Sequence, residues 1–216
     1  MRVLVTGATG LTGRAVVRAA RAAGMEVTAL TRDPRKLQPA AGLTVVAADL
    51  TDVDALRRVL RGHDAVIHCL GVGGRGSGAV TTLLSDATSI LLTAMADSGV
   101  SRLVALSNVG AGSSIEQGTW LYRRLIRPVV MALFLRWLRP ILDDKDRMEP
   151  LIMASGLAWT IVRLPNVVGR PPRRTLRLSA GTRSVGLSIG AADLAGFLIA
   201  SLQVPALGGV AVSVSN

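Results

Sequence analysis

A glycine-rich heptapeptide, GATGLTG from Gly7 to Gly13, follows directly on the apolar run RVLVT (2–6) and leads into a helical pattern over 11–23. No other feature limits the possible folds as much. One glycine allows a tight turn, a second lets backbone approach a ligand closely, and a third lets the helix pack close to the strand. A helix starting there offers unpaired N–H groups and the positive end of its dipole, so the turn suits a pyrophosphate. A glycine turn without a ligand would read the same in isolation. Its position at the end of a first strand is what points to a dinucleotide.

The pattern then repeats. EVTAL, a turn through Asp33 and Pro34, LTVVAAD, a helix over 52–60, DAVIHCL, a helix over 80–97 and RLVALS follow in order. The strand runs are nearly all apolar, as strands buried on both faces must be. Alternation with helices builds right-handed βαβ units. These observations predict an α/β chain of the Rossmann type: a doubly wound, mostly parallel sheet in three αβα layers. The second half is less regular. It holds an apolar, arginine-punctuated stretch (120–142) that Pro128 and Pro140 are expected to break, a helix over 143–155, and the strand LAWTIVRL. A loop rich in Pro, Gly and Arg, weaker strand signals and a helix over 191–202 complete it. With 216 residues, half of them hydrophobic, and no linker or internal period, we expect one domain over 1–216, with substrate-side elements in about 107–190.

At the end of the second strand, sites for NAD place an acid that binds the ribose 2′-hydroxyl. Here the sequence reads TRDPRK. Arg32 can form paired hydrogen bonds to a 2′-phosphate, and Lys36 or Arg35 adds charge, so the segment favours NADP(H). Two other readings stay open: Asp33 could reach a ribose, and Arg32 could be a solvated turn residue.

The formal net charge of +11 comes almost entirely from arginine, since Lys36 and Lys145 are the only lysines. The basic residues are scattered and aromatic residues make up 3%, so we expect no nucleic-acid partner. Cys69 is the sole cysteine, which excludes an intrachain disulfide and fits a reducing compartment. With no signal-peptide pattern at the start, the expected location is cytoplasmic. His68 could face the cofactor or be a buried, hydrogen-bonded histidine; His63, in a Gly-His-Asp turn, is expected to be exposed. Cys69 reads as a small core residue. Two histidines and one cysteine give no metal-ligand spacing, and no metal is expected.

GATGxxG, the Arg-Asp pair after strand two, Asp49-Leu50 after strand three and CLG after strand four together resemble the atypical short-chain dehydrogenase/reductases. The nearer likeness is to the NAD(P)H-binding group of NmrA-like proteins and biliverdin reductase B-type flavin reductases. DDKDRMEPLIMASGLAWTIVRLPNVVG is similar to that group's helix, turn, strand and substrate loop. The resemblance implies that Thr9, Leu11 and Thr12 join the glycines at the pyrophosphate, that Arg32 and Lys36 bind the 2′-phosphate, and that Asp49 and Leu50 meet the adenine. It implies Leu70 and Gly71 along the ribose and the middle of the cofactor, Ser107 beside the nicotinamide, and Pro165, Asn166 and Val167 over the carboxamide.

The chain also departs from those relatives. Short-chain dehydrogenases use Tyr-x-x-x-Lys, the lysine lowering the tyrosine pKa for proton exchange. Lys145 stands at the lysine position, but four residues earlier is Ile141, and Tyr122 is too far upstream. The group's active-site histidine aligns with Asn166, and Asn108 stands near its active-site serine. Ser107 and Asn108 can donate hydrogen bonds but release no proton readily at neutral pH. Lys145 is expected to bind ribose.

The stretch 120–142 is interrupted by Arg123, Arg124, Arg127, Arg136 and Arg139, so it is no ordinary membrane span. A lid over the active site, an interface between copies, and a lipid-surface segment are the readings, in that order. The sequence thus predicts an NADPH-dependent reductase of a flavin, quinone or aromatic polyketide-like compound, with Ser107, Asn108, Lys145 and Asn166 as the catalytic set and solvent as the proton source. The alternatives are an NADP(H)-binding regulator without turnover and an isomerase or cyclase on the same fold.

Overall fold

The computed structural model describes residues 1–71, 79–109, 139–173, 175–180 and 186–216. Residues 120–138 of the stretch read as a lid, an interface or a lipid-surface segment lie outside the described residues, and so does Tyr122.

The strands are β1 (Arg2–Thr6), β2 (Glu26–Thr31), β3 (Leu43–Ala47), β4 (Ala65–His68), β5 (Arg102–Asn108), β6 (Ala158–Leu164), β7 (Asn166–Val168), β8 (Arg177–Ser179), β9 (Ser188–Gly190) and β10 (Val210–Ser215). Eight form one sheet in the order β3-β2-β1-β4-β5-β6-β10-β8. All neighbours in it are parallel except β10 and β8. β7 pairs with β9 in a separate parallel ribbon. Among the described residues the α-helices are α1 (Leu11–Ala22), α2 (Val53–Leu60), α3 (Leu83–Asp97), α4 (Arg139–Met153) and α5 (Ala191–Leu202). This is a Rossmann-type αβα fold.

Period-two alternation along each strand divides the core. Val3, Val5, Ala65, Ile67, Val104, Leu106 and Val162 pack with α1 and α5 on one face. Leu4, Val66, Leu103, Ala105 and Ile161 pack with α2, α3 and α4 on the other. A strand that buries both faces cannot spare polar positions, which explains the unbroken apolar runs. Because the chain leaves β1 for β2 on one side and returns to β4 on the other, a crevice opens beyond the carboxyl end of β1.

Two helix starts and one burial differ from expectation. α3 begins at Leu83, not at 80, and Thr82 makes no side-chain cap. Its cap comes from 60 residues away: fully buried Asp144 of α4 accepts from Leu84 N (2.8 Å), Ser85 N (3.2 Å) and Ser85 Oγ (2.6 Å). Arg147 adds a bond to the Thr81 carbonyl at 2.6 Å. Secondly, α4 includes Arg139 and Pro140 rather than starting at 143. Pro140 is the second residue of α4, where a helix asks no N–H of it, and the stretch before Arg139 lies outside the described residues. Thirdly, His63 is half-buried, its Nε2 2.8 Å from Thr28 Oγ1, because the turn after α2 folds back over β2. Among the described residues, no helix is long and apolar enough to cross a membrane.

α4 also buries Glu149 against Arg163 of β6, with Nη2–Oε2 at 2.6 Å and both side chains almost wholly enclosed. Asp144→Ala strands two amide donors of α3 and is expected to cost about 2–3 kcal/mol. Urea unfolding of the variant against the wild type reads that loss.

Candidate functional site

A cleft of about 660 Å³ lies at the carboxyl ends of β1, β2, β3 and β4. Gly7 is the first residue of its floor, with φ +63°, a left-handed conformation that favours glycine. A Cβ at Gly7 would lie 2.5 Å from the Cys69 carbonyl oxygen, and one at Gly13 would overlap the Gly7 carbonyl and Ala8 Cα. The first crossing of α1 over β1 and β4 is therefore backbone against backbone. Gly10, the residue before α1, brings no side chain to cap the helix, and the first turn holds no acid. The amides there are left for a ligand, and they suit an anion. Arg14 Nε holds the Thr9 carbonyl at 2.8 Å and so stiffens the loop from its outer side.

Below the loop is a buried polar chain. His68 Nδ1 lies 2.7 Å from Thr6 Oγ1, and its Nε2 lies 3.2 Å from Thr88 Oγ1 of α3. Of the two roles open to His68, it takes the buried, hydrogen-bonded one. Burial, with the nearby Lys145 charge adding to it, holds its pKa down to about 3. The ring is neutral and links the last residue of β1 to the cleft wall. Cys69 is buried beside it, and burial pushes its thiol up to about 12, which leaves no thiolate at neutral pH.

Thr31, Arg32, Asp33 and Lys36 line the β2 end of the cleft, and Asp49, Leu50 and Thr51 the β3 end. Asp49 accepts from the Thr51 amide and hydroxyl, both at 2.9 Å. Those bonds, with the charge of Arg32 added, keep its carboxyl below the usual range. Leu70 and Gly71 of the fourth strand's exit, and Leu83 and Ala87 of α3, form the opposite wall. The loop residues Thr9, Leu11 and Thr12 line the cleft with the glycines.

None of the residues expected around the nicotinamide is among those that line this cleft. Ser107 is fully buried at the end of β5, and its hydroxyl has no partner among the described residues. Asn108 follows it, half-buried. Asn166 is exposed, while Pro165 and Val167 are half-buried. A Cβ on Gly169 would meet the Leu11 side chain at 3.8 Å, so the β7 end reaches the glycine loop. Lys145 is not among the described residues lining the cleft. Its Nζ donates to the Leu106 carbonyl at 2.9 Å, and burial holds the ammonium down to about 8, against the pull of Glu149 and Asp144.

Asp144, Glu149 and Arg163 escaped the sequence reading. For Glu149 a signal existed: helical spacing puts it on the face of Ile141, Met148 and Ile152, which is buried, whereas the partners of Asp144 and Arg163 are long-range. A second hollow, about 580 Å³, lies around Arg2, Glu26, Thr28, Arg61 and His63, at the amino ends of the strands. Open α/β sheets take their ligands at the other end.

A family model described as NAD(P)H-binding matches residues 7–205. The chain belongs to the NAD(P)H-binding family. An uncharacterized protein of Mycobacterium tuberculosis is 34% identical over 170 residues, covering 79% of this chain and 15% of that protein. An NAD(P)H azoreductase of Xenophilus azovorans is 32% identical over 168 residues, covering 74% of this chain and 46% of the azoreductase. The chain thus spans less than half the length of either relative. The crystal structure of the oxidoreductase ylbE from Lactococcus lactis superimposes with a TM-score of 0.82 at 17% identity, covering 100% of this chain and 91% of that one, and shows the same fold.

Two predictions follow from this geometry. Gly13→Ala forces α1 off the strand ends and is expected to weaken NAD(P)H binding at least about tenfold, read by fluorescence titration. Folding favours neutral His68, so its contribution is complete above pH 6.5 and declines as pH falls toward 3, where the folded ring also protonates, at about 1.4 kcal/mol per pH unit. Urea unfolding at stepped pH, with His68→Asn as the control lacking this component, measures the slope.

Proposed function

We propose that the chain binds NADP(H) in preference to NAD(H) and reduces a flat, hydrophobic acceptor such as a flavin, quinone or aromatic compound. The observation that carries the cofactor preference is the β2 end of the cleft, where Arg32 and Lys36 both line the wall. The glycine cradle and the uncapped start of α1 fit a pyrophosphate, because side chains at Gly7 or Gly13 would occupy its floor. The similarity to an azoreductase supports an aromatic acceptor.

When bound, NADPH supplies a hydride from nicotinamide C4. The chain's own residues supply binding and orientation. The α1 amides hold the pyrophosphate, and the wall of Leu70, Gly71, Leu83 and Ala87 keeps the middle of the cofactor against the loop. Ser107 has a hydroxyl with a hydrogen bond to give at the end of β5, and Asn108 follows it with an amide; they orient the acceptor. Lys145, fixed on the Leu106 carbonyl and still largely protonated at neutral pH, lends positive charge behind β5. The position of the usual tyrosine is Ile141, buried in the core with α2 and α3. The product's proton therefore comes from solvent, which limits the acceptors to those that need no strong acid, and the reaction suits the reducing cytoplasm.

Buried Ile141 also favours a second reading, a cofactor-binding regulator that does not turn over. Titration is expected to show NADPH binding more tightly than NADH, with Arg32→Ala costing NADPH about tenfold and NADH little. NADPH oxidation with FMN, a quinone panel and an azo dye separates the readings: consumption supports the reductase, and tight binding without consumption supports the regulator.

A further inference from the structure

Asp33 raises a difficulty for the cofactor preference, since a free carboxylate at the end of β2 accepts the 2′-hydroxyl of NADH and repels a 2′-phosphate. The structure shows this carboxylate engaged. Arg35 Nε lies 2.9 Å from Asp33 Oδ1, Nη2 lies 3.3 Å from Oδ2, and the Arg35 amide donates to Oδ1 at 3.2 Å. The paired contacts hold the carboxyl below its usual range. The local chain fixes the arrangement: Pro34 opens the short 3₁₀ turn Pro34–Lys36, and Asp33 is its N-cap. Thr31 fixes the next peptide group, its Oγ1 accepting from the Asp33 amide at 3.2 Å.

The two residues differ in where they stand. Asp33 lines the cleft with Arg32 and Lys36, whereas Arg35 does not line it and its side chain is 88% exposed. Arg35 reaches Asp33 from the solvent side.

We propose that Arg35 is a specificity-determining residue that acts through Asp33: it occupies the carboxylate that would otherwise take the ribose hydroxyls of NADH, and it cancels a negative charge beside the 2′-phosphate. This rests on the NADP(H) reading above. Since the clamp is a solvent-exposed ion pair, its removal shifts each affinity by no more than about fivefold. Direction separates it from the simpler role. An arginine that merely touches the phosphate would, when removed, weaken NADPH and leave NADH unchanged. A clamp, when removed, weakens NADPH and tightens NADH.

The experiment measures the Kd of NADH and NADPH for the wild type, Arg35→Ala, the double variant Asp33→Asn with Arg35→Ala, and Arg32→Ala. Arg35 makes its contacts at the surface, so the variants keep the fold. The expected result is NADH binding about two- to fivefold tighter in Arg35→Ala, with the gain gone in the double variant. Unchanged or weaker NADH binding in Arg35→Ala overturns the proposal, as does a gain that persists without the Asp33 carboxylate. If the wild type shows no preference and Arg32→Ala changes nothing, the NADP(H) reading itself fails. If the wild type prefers NADPH and Arg32→Ala weakens it, and only the NADH gain is missing, the clamp alone fails.

Discussion

Three backbones meet at the end of β1 with no side chain between them, and the functional site depends on that contact. The Gly7 carbonyl occupies the space that a Cβ at residue 13 would need, and the Cys69 carbonyl occupies that of residue 7. Only this close approach lets α1 start at the sheet's switch point with its amides turned into the cleft. The loop is supported from beneath by neutral His68 between Thr6 and Thr88, and from outside by Arg14 on the Thr9 carbonyl. Rigid support matters because an amide cradle must be in place before the phosphate arrives.

α4 plays the corresponding part on the other side. Its buried charges each have a separate partner: Asp144 the start of α3, Lys145 the Leu106 carbonyl, and Glu149 the Arg163 guanidinium of β6. Through Asp144 the helix fixes the turn of α3 that carries Leu83 into the cleft wall. Through Glu149 it holds β6, where Arg163 is in register with Ser107 of β5. Buried ion pairs add little net stability, but they impose one arrangement on the elements they join. The helix carries Lys145 at the lysine position of the short-chain dehydrogenase motif and buried Ile141 four residues earlier, where that motif has its tyrosine.

Much of the fold was legible because both faces of the sheet are buried, and apolar runs of strand length separated by helical periods have few other solutions. The glycine loop was legible for the same reason: its residue types answer a local steric demand. What the sequence hid was long-range. Nothing near Thr82 says that the cap of α3 is Asp144, and nothing in Gly-His-Asp says that His63 turns back onto Thr28. The resemblance implies Lys145 at the ribose; that its ammonium also donates to the Leu106 carbonyl is a long-range contact that its motif does not carry. The bond of Asp33 to Arg35 lay in adjacent letters, yet their spacing fits a clamp and a pair of independent surface charges equally well.

On the proposed function, the cleft at the glycine loop holds NADP(H) with its 2′-phosphate at the end of β2. A crystal structure of the complex with NADP⁺ tests it most directly. The pyrophosphate is expected on the amides between Gly7 and Gly13, and the 2′-phosphate within hydrogen-bond distance of Arg32 and Lys36. A pyrophosphate bound elsewhere, or a 2′-phosphate turned to solvent away from both side chains, would contradict it.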